Sequence, residues 1–127
     1  MSVKITQAPK KISKNKFKDT ILSDYRLASE VRESGAQGRR DVLSGKGTFG
    51  IFGDGKEIAQ IALAKVFRHG DFRAGYYRDQ ALMSALGQYS PKHMFSALYG
   101  DPDLSREPSS GSRQMMNHFG TRFLNDD

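Results

Sequence analysis

No cysteine occurs among the 127 residues, which excludes a disulfide frame, a thiolate metal site and a cysteine nucleophile. No apolar run approaches the ~20 residues needed to cross a bilayer. The N-terminus also lacks the hydrophobic core of a secretory signal, so a cytoplasmic protein is the expectation. Histidine is sparse: His69, His93 and His118 lie 24 and 25 residues apart, which matches no local metal-ligand pattern. Acidic residues are missing from positions 1–18, which hold six lysines, while the remainder carries 14 basic and 14 acidic residues. The net charge of +6 therefore belongs to the N-terminal end. We read residues 1–15 as a basic, flexible tail. A nucleic-acid-binding protein would need a basic face on the folded part as well, and none is evident. No internal repeat is present.

The composition, 37% hydrophobic and 27% charged, is that of a globular protein long enough for one domain. From about residue 16 to 43, Phe17, Ile21, Tyr25, Ala28 and Val31 recur at helical spacing, with Asp24, Arg26, Glu30, Arg32 and Glu33 on the other faces. Gly35 and Gly38 weaken the middle of this helix, leaving a kink or two segments, and Gly45 and Gly47 end it. Residues 48–52 form a short apolar piece that enters a turn at Gly53-Asp54-Gly55. A second helix is expected over about 56–68, burying Ile58, Ile61, Ala62, Leu63 and Val66. Residues 72–77 suit a strand by their aromatic content, leading into a helix over about 79–86. Ser90-Pro91 starts another helix, which Tyr99-Gly100 ends. Residues 101–112, rich in Pro, Ser, Gly and Asp, read as a loop.

Three features carry candidate chemistry. Gly53-Asp54-Gly55 has the look of a phosphate or metal turn, but a turn leading into the next helix explains it fully. His118 lies in a polar, Gly-flanked loop beside Arg113, where an imidazole can exchange a proton or hydrogen bond with a substrate. Tyr77-Arg78 is the strongest signal. The arginine fork matches phosphate oxygens and stays charged, and the phenol adds a directional hydrogen bond. The alternative is an arginine salt-bridged to Asp79 or Glu57, with the tyrosine in the core.

The run 24–123 resembles the N-terminal, alpha part of the thiamine-diphosphate-dependent decarboxylating component of 2-oxoacid dehydrogenase complexes. The branched-chain type, or the fused alpha/beta form, fits best. The pieces that carry the resemblance are SDYRLASEVRESGAQGRRDVLSGKG, FGIFGDGKEIAQIALAKVFRHGDFRAGYYRDQ, FSALYGDPDL and SRQMMNHFG, in the family's order and spacing. The resemblance implies an α/β fold: a helix-rich N-terminal portion of a thiamine-diphosphate-binding domain spanning 16–127, incomplete and with few short strands. It places the cofactor's diphosphate on Tyr77 and Arg78, and it puts Arg113, Gln114 and His118 on a loop facing the substrate cavity, with His118 as the catalytic residue. Two departures stand out. Ser112, after Gly111, precedes Arg113 where the family has glycine, and Tyr76 stands where some relatives have a glutamine that also reaches the diphosphate.

The family binds Mg²⁺ through a Gly-Asp-Gly motif followed downstream by paired asparagines. Only Asn15, Asn117 and Asn125 occur here, so no metal ligand is assigned and Gly53-Asp54-Gly55 corresponds to a turn before an early helix. The resemblance implies that the Mg²⁺ ligands, the glutamate that activates the cofactor and the beta part lie outside this chain, which reads as an N-terminal fragment inactive alone. Implied partners are the remainder of the alpha part, the beta part or subunit and a lipoyl-bearing acyltransferase, in a homodimer or heterotetramer. Two other classes stay open: a catalytically dead assembly module, and a small basic nucleic-acid-binding protein using the lysine tail.

Overall fold

The computed structural model describes residues 13–68 and 70–114. It contains four helices among these residues: α1 (Lys14–Leu43), α2 (Glu57–Ala64), α3 (Gln80–Ala85) and α4 (Pro91–Leu98). The long helix α1 touches each of the other three, and α2 packs on α3. No helix among the described residues is long and apolar enough to cross a membrane.

Ser13 starts α1 by accepting the Lys16 N–H, and Ser44 closes it just before Gly45 at φ +77°. The helix is continuous through Gly35 and Gly38, so the two-segment alternative is not formed. Tertiary packing explains this. A Cβ on Gly38 would lie 2.5 Å from the Phe52 ring, and one on Gly35 would lie 2.7 Å from the Asp54 carboxylate. The glycines let residues 52–54 pack directly against the helix backbone. The residues α1 buries are thus Gly35, Gly38 and Asp41, while Phe17, Ile21 and Tyr25 of the anticipated apolar face are exposed.

Helix α2 is shorter than the expected 56–68, and its inward face differs from the one read in the sequence. Glu57, Gln60, Ile61 and Ala64, spaced as one helix face, turn toward the body, whereas Ile58 and Val66 are about two-thirds exposed (67% and 68%). Glu57 is held by the Arg32 fork at 2.7 and 2.8 Å, so this face is fixed by an ion pair as much as by apolar burial. Helices α3 and α4 lie close to where they were expected. Ser90 caps α4 with Pro91 in its first turn, and Gly100 at φ +75° follows its end. Met83, Tyr89 and Met94 form a buried cluster against which Phe52 and Phe95 pack, and Ile61, Ala81, Leu82 and Leu98 are buried as well.

The expected α/β class is overturned: about half of the described residues are helical (51%), and none is in a strand. The reason lies in where the extended segments find hydrogen-bond partners. Gln80 donates to the Ile51 carbonyl at 3.3 Å and accepts the Gly53 N–H at 3.0 Å. Gln60 donates to the Arg78 carbonyl at 2.9 Å, and the Asp79 carboxylate accepts the Tyr76 N–H at 3.0 Å. Side-chain amides and a carboxylate occupy these backbone groups, which therefore do not form a ladder.

Candidate functional site

The segment Tyr76-Tyr77-Arg78-Asp79 is a tight turn entering α3, closed by the Asp79 N–H bonding to the Tyr76 carbonyl at 3.1 Å. Arg73 pairs with Asp79, and Gln60 bonds the Arg78 carbonyl while accepting the Leu82 N–H at 3.1 Å. Gly53 lies against the same carbonyl: a Cβ there would come within 2.6 Å of the Arg78 oxygen. The Gly53-Asp54-Gly55 turn therefore acts as a backbone spacer. Its Asp54 pairs with Arg39, and the Gly55 N–H donates to Glu57 at 3.0 Å.

Within this frame the Tyr77 and Arg78 side chains are half-buried. The Arg78 guanidinium sits 5.2 Å above the centre of the Tyr77 ring, within cation–π range. The Tyr76 ring lies against that of Tyr77 at a tilt of 34° with ring centres 4.0 Å apart, and its hydroxyl donates to the Tyr77 hydroxyl at 2.7 Å. That hydrogen bond raises the Tyr76 phenol above its ordinary pKa. The alternative salt bridges for Arg78 are not formed, because Asp79 goes to Arg73 and Glu57 to Arg32. Among the described residues the Arg78 guanidinium has no ion-pair partner.

Tyr77 and Gln80 border an open groove whose other walls are largely apolar, including Ile51, Phe52, Tyr89 and Met94. A second opening is bordered by Lys46, Thr48, Tyr99, Ser112 and Gln114. The two share Phe49, Ala97 and Leu98 as a common wall. Two separate expectations from the sequence, the Tyr77 turn and the Arg113-Gln114 loop, thus border neighbouring openings. Arg113 is exposed and donates to the Ser110 carbonyl at 3.0 Å. His118 lies outside the described residues, as do His69 and most of the lysine-rich tail. Among the described residues no group of three or more His, Cys, Asp or Glu side chains converges to hold a metal ion.

The sequence reading passed over several residues that build this site. Gln60 and Gln80 lie on helices where a glutamine reads as a solvated side chain, and nothing local marks them as backbone clamps. Glu107 sat in a stretch read simply as loop, yet it is wholly buried (0%). A run of serines and a glycine beyond an acidic residue is the one local hint, since such a run can wrap its N–H groups around a carboxylate.

The donor set suits a phosphate group: an arginine fork beside a phenol that borders a mostly apolar groove. Comparison with known proteins finds a partial similarity to a dehydrogenase alpha subunit. The 2-oxoisovalerate dehydrogenase subunit alpha of Bacillus subtilis (strain 168) is 38% identical over 80 residues, covering 62% of this chain and 23% of that protein. The chain thus spans less than a quarter of the relative's length. No family model matches the chain, and no solved structure does.

Proposed function

We propose that this chain supplies the diphosphate-anchoring part of a thiamine-diphosphate-dependent 2-oxoacid dehydrogenase of the branched-chain type, as the N-terminal portion of its alpha part. The similarity to the 2-oxoisovalerate dehydrogenase subunit alpha supports this reading at the level of the family. The observation that carries the site is the Tyr77-Arg78 turn, braced by Gln60 and Asp79, with the Arg78 charge set over the Tyr77 ring. Arg78 would grip diphosphate oxygens with its fork, and Tyr77 would add one hydrogen bond.

In this reading the assembled enzyme removes carbon dioxide from a 2-oxo acid and passes the acyl group to the lipoyl arm of an acyltransferase. The carbanion stabilisation that decarboxylation requires is supplied by thiamine diphosphate, with Mg²⁺ held by residues outside this chain. The residues of this chain bind and orient. Tyr77 and Arg78 hold the diphosphate end, Arg113 and Gln114 border the substrate side, and His118 serves there as the proton-exchanging group. Further alpha-part sequence, a beta part or subunit, and a homodimeric or heterotetrameric assembly in the cytoplasm belong to the same reading.

The test is calorimetric titration with thiamine diphosphate of the chain assembled with the remaining alpha and beta parts. Arg78→Ala is expected to weaken binding on the order of tenfold to a hundredfold, the worth of charge-assisted hydrogen bonds. An unchanged affinity in that variant would sink the assignment. The 127-residue chain alone is expected to show neither decarboxylation nor tight cofactor binding.

A further inference from the structure

We infer that Glu107 is the positioning residue of the loop that carries Arg113 and Gln114, its buried carboxylate serving as the internal anion around which the loop is wound. The inference rests on the reading of Arg113 and Gln114 as cavity-facing residues, although its test requires no ligand.

Glu107 is completely buried (0%) without a basic partner among the described residues. Backbone N–H groups take that role. Ser109 donates to one carboxylate oxygen at 3.0 Å, while Ser110 and Ser112 each donate to the other at 2.8 Å. The Ser110 hydroxyl adds a contact at 3.2 Å. A buried carboxylate is satisfied by such a cradle, and hydrogen bonds to a charged acceptor are stronger than neutral ones.

The cradle imposes a costly backbone. Gly111 and Ser112 both lie in the left-handed region, at φ +57° and +56°. Glycine accepts this, and here it must be glycine, since a Cβ would lie 2.8 Å from the Pro102 carbonyl. Serine is strained there. Its N–H bond to Glu107 and a 2.8 Å hydroxyl bond to the Asp101 carbonyl hold it in place. The structure therefore accommodates serine where the resemblance calls for glycine.

The same network reaches the two residues of interest. The Ser110 hydroxyl that touches Glu107 also accepts the Gln114 N–H at 3.1 Å, and the Ser110 carbonyl accepts from the Arg113 guanidinium at 3.0 Å. Ser110 thus bonds both the carboxylate and each of these two residues. Ser112 and Gln114 border the opening shared with Lys46 and Tyr99, so the winding of the loop decides what that opening presents.

Glu107→Gln and Glu107→Asp in the 127-residue chain, followed by amide hydrogen exchange and the NMR signal of the Arg113 guanidinium, test the inference. In Glu107→Gln, protection at the Ser110 and Ser112 amides is expected to fall roughly tenfold or more. The Arg113 signal should average toward that of a solvated arginine, with protection in α3 and α4 unchanged. Adding Ser112→Gly should restore part of the protection, because glycine takes the left-handed turn without strain. Glu107→Asp keeps the charge on a shorter arm and is expected to fall between. A uniform loss of protection through α3 and α4 would reduce Glu107 to a fold-stabilising role and overturn the inference. Unaltered Ser110 and Ser112 amides in either variant would overturn it too, including where Glu107→Gln fails to fold and only Glu107→Asp can be read. Failure of the assembled protein to bind thiamine diphosphate would sink the functional reading and leave these exchange patterns unaffected.

Discussion

Gln60 donates its side-chain amide to the Arg78 carbonyl at 2.9 Å, tying α2 to the turn that carries the candidate phosphate-binding pair. The other end of the same amide accepts the Leu82 N–H at 3.1 Å, so one side chain spans the start of α3. Gln60→Leu preserves much of the bulk and removes both bonds. Stability is expected to fall by about 1–3 kcal/mol in urea unfolding, because two backbone groups lose their partners. Exchange at the Leu82 amide should rise with it. An unchanged Leu82 amide would mean that water replaces the glutamine without cost.

Glu57 and Arg32 give the chain an acid-sensitive joint. The two hydrogen bonds from the Arg32 fork are the largest cause lowering the Glu57 carboxyl from 4.5 to about 2. A folded-state pKa below the unfolded one adds stability that is fully present above pH 4.5 and is lost as the pH falls toward 2. The melting temperature should therefore decline over that window. Arg32→Met should flatten the Glu57 contribution to the decline. An identical pH profile in the variant would rule out this pair as the source.

Gly38 separates helix propensity from packing. Alanine is the better helix former by up to ~1 kcal/mol, yet its Cβ would sit 2.5 Å from the Phe52 ring. We expect Gly38→Ala to destabilise the chain by roughly 1–3 kcal/mol, as overpacking does. Denaturant titration decides the sign. A stabilised variant would show that Phe52 moves aside easily.

Tyr99 donates its hydroxyl to the buried Asp41 carboxylate at 2.5 Å, and this bond is the largest cause holding the Asp41 carboxyl below the ordinary aspartate range. Tyr99→Phe should raise the Asp41 pKa toward its ordinary value, as read from the carboxyl carbon shift in an NMR titration. No movement would place the cause on Gln37, which also bonds this carboxylate.

The site was legible in part. Tyr77 and Arg78 stood out by type, because few residue pairs other than a phenol and a guanidinium suit a phosphate so well. Their supports did not stand out, since Gln60 and Gln80 are ordinary helix formers whose amides can point anywhere. Helix ends were readable for a related reason: Ser90-Pro91 and Gly45 act on neighbours within a few residues. The apolar spacing of α1 located the helix correctly, but of the face it marked Phe17, Ile21 and Tyr25 are exposed while Ala28 and Val31 are half-buried. The contact that holds α1 is a close backbone approach at Gly35 and Gly38, and a side-chain pattern carries no trace of it.

What the sequence determined by itself is therefore the local part: the position of α1, α3 and α4, the glycine end of α1, the Ser90-Pro91 start and Gly100 end of α4, and the loop over residues 101–112. Each depends on hydrogen bonds or φ preferences spanning a handful of residues. Only the tertiary structure decided whether residues 48–52 and 72–77 would be strands. Gln80 takes the Ile51 carbonyl and the neighbouring Gly53 N–H, Asp79 takes the Tyr76 N–H and Gln60 the neighbouring Arg78 carbonyl, and no sheet is present among the described residues. The burial of Glu107 belongs to the same class of decision. Its carboxylate is stable inside only because the folded loop turns three N–H groups toward it.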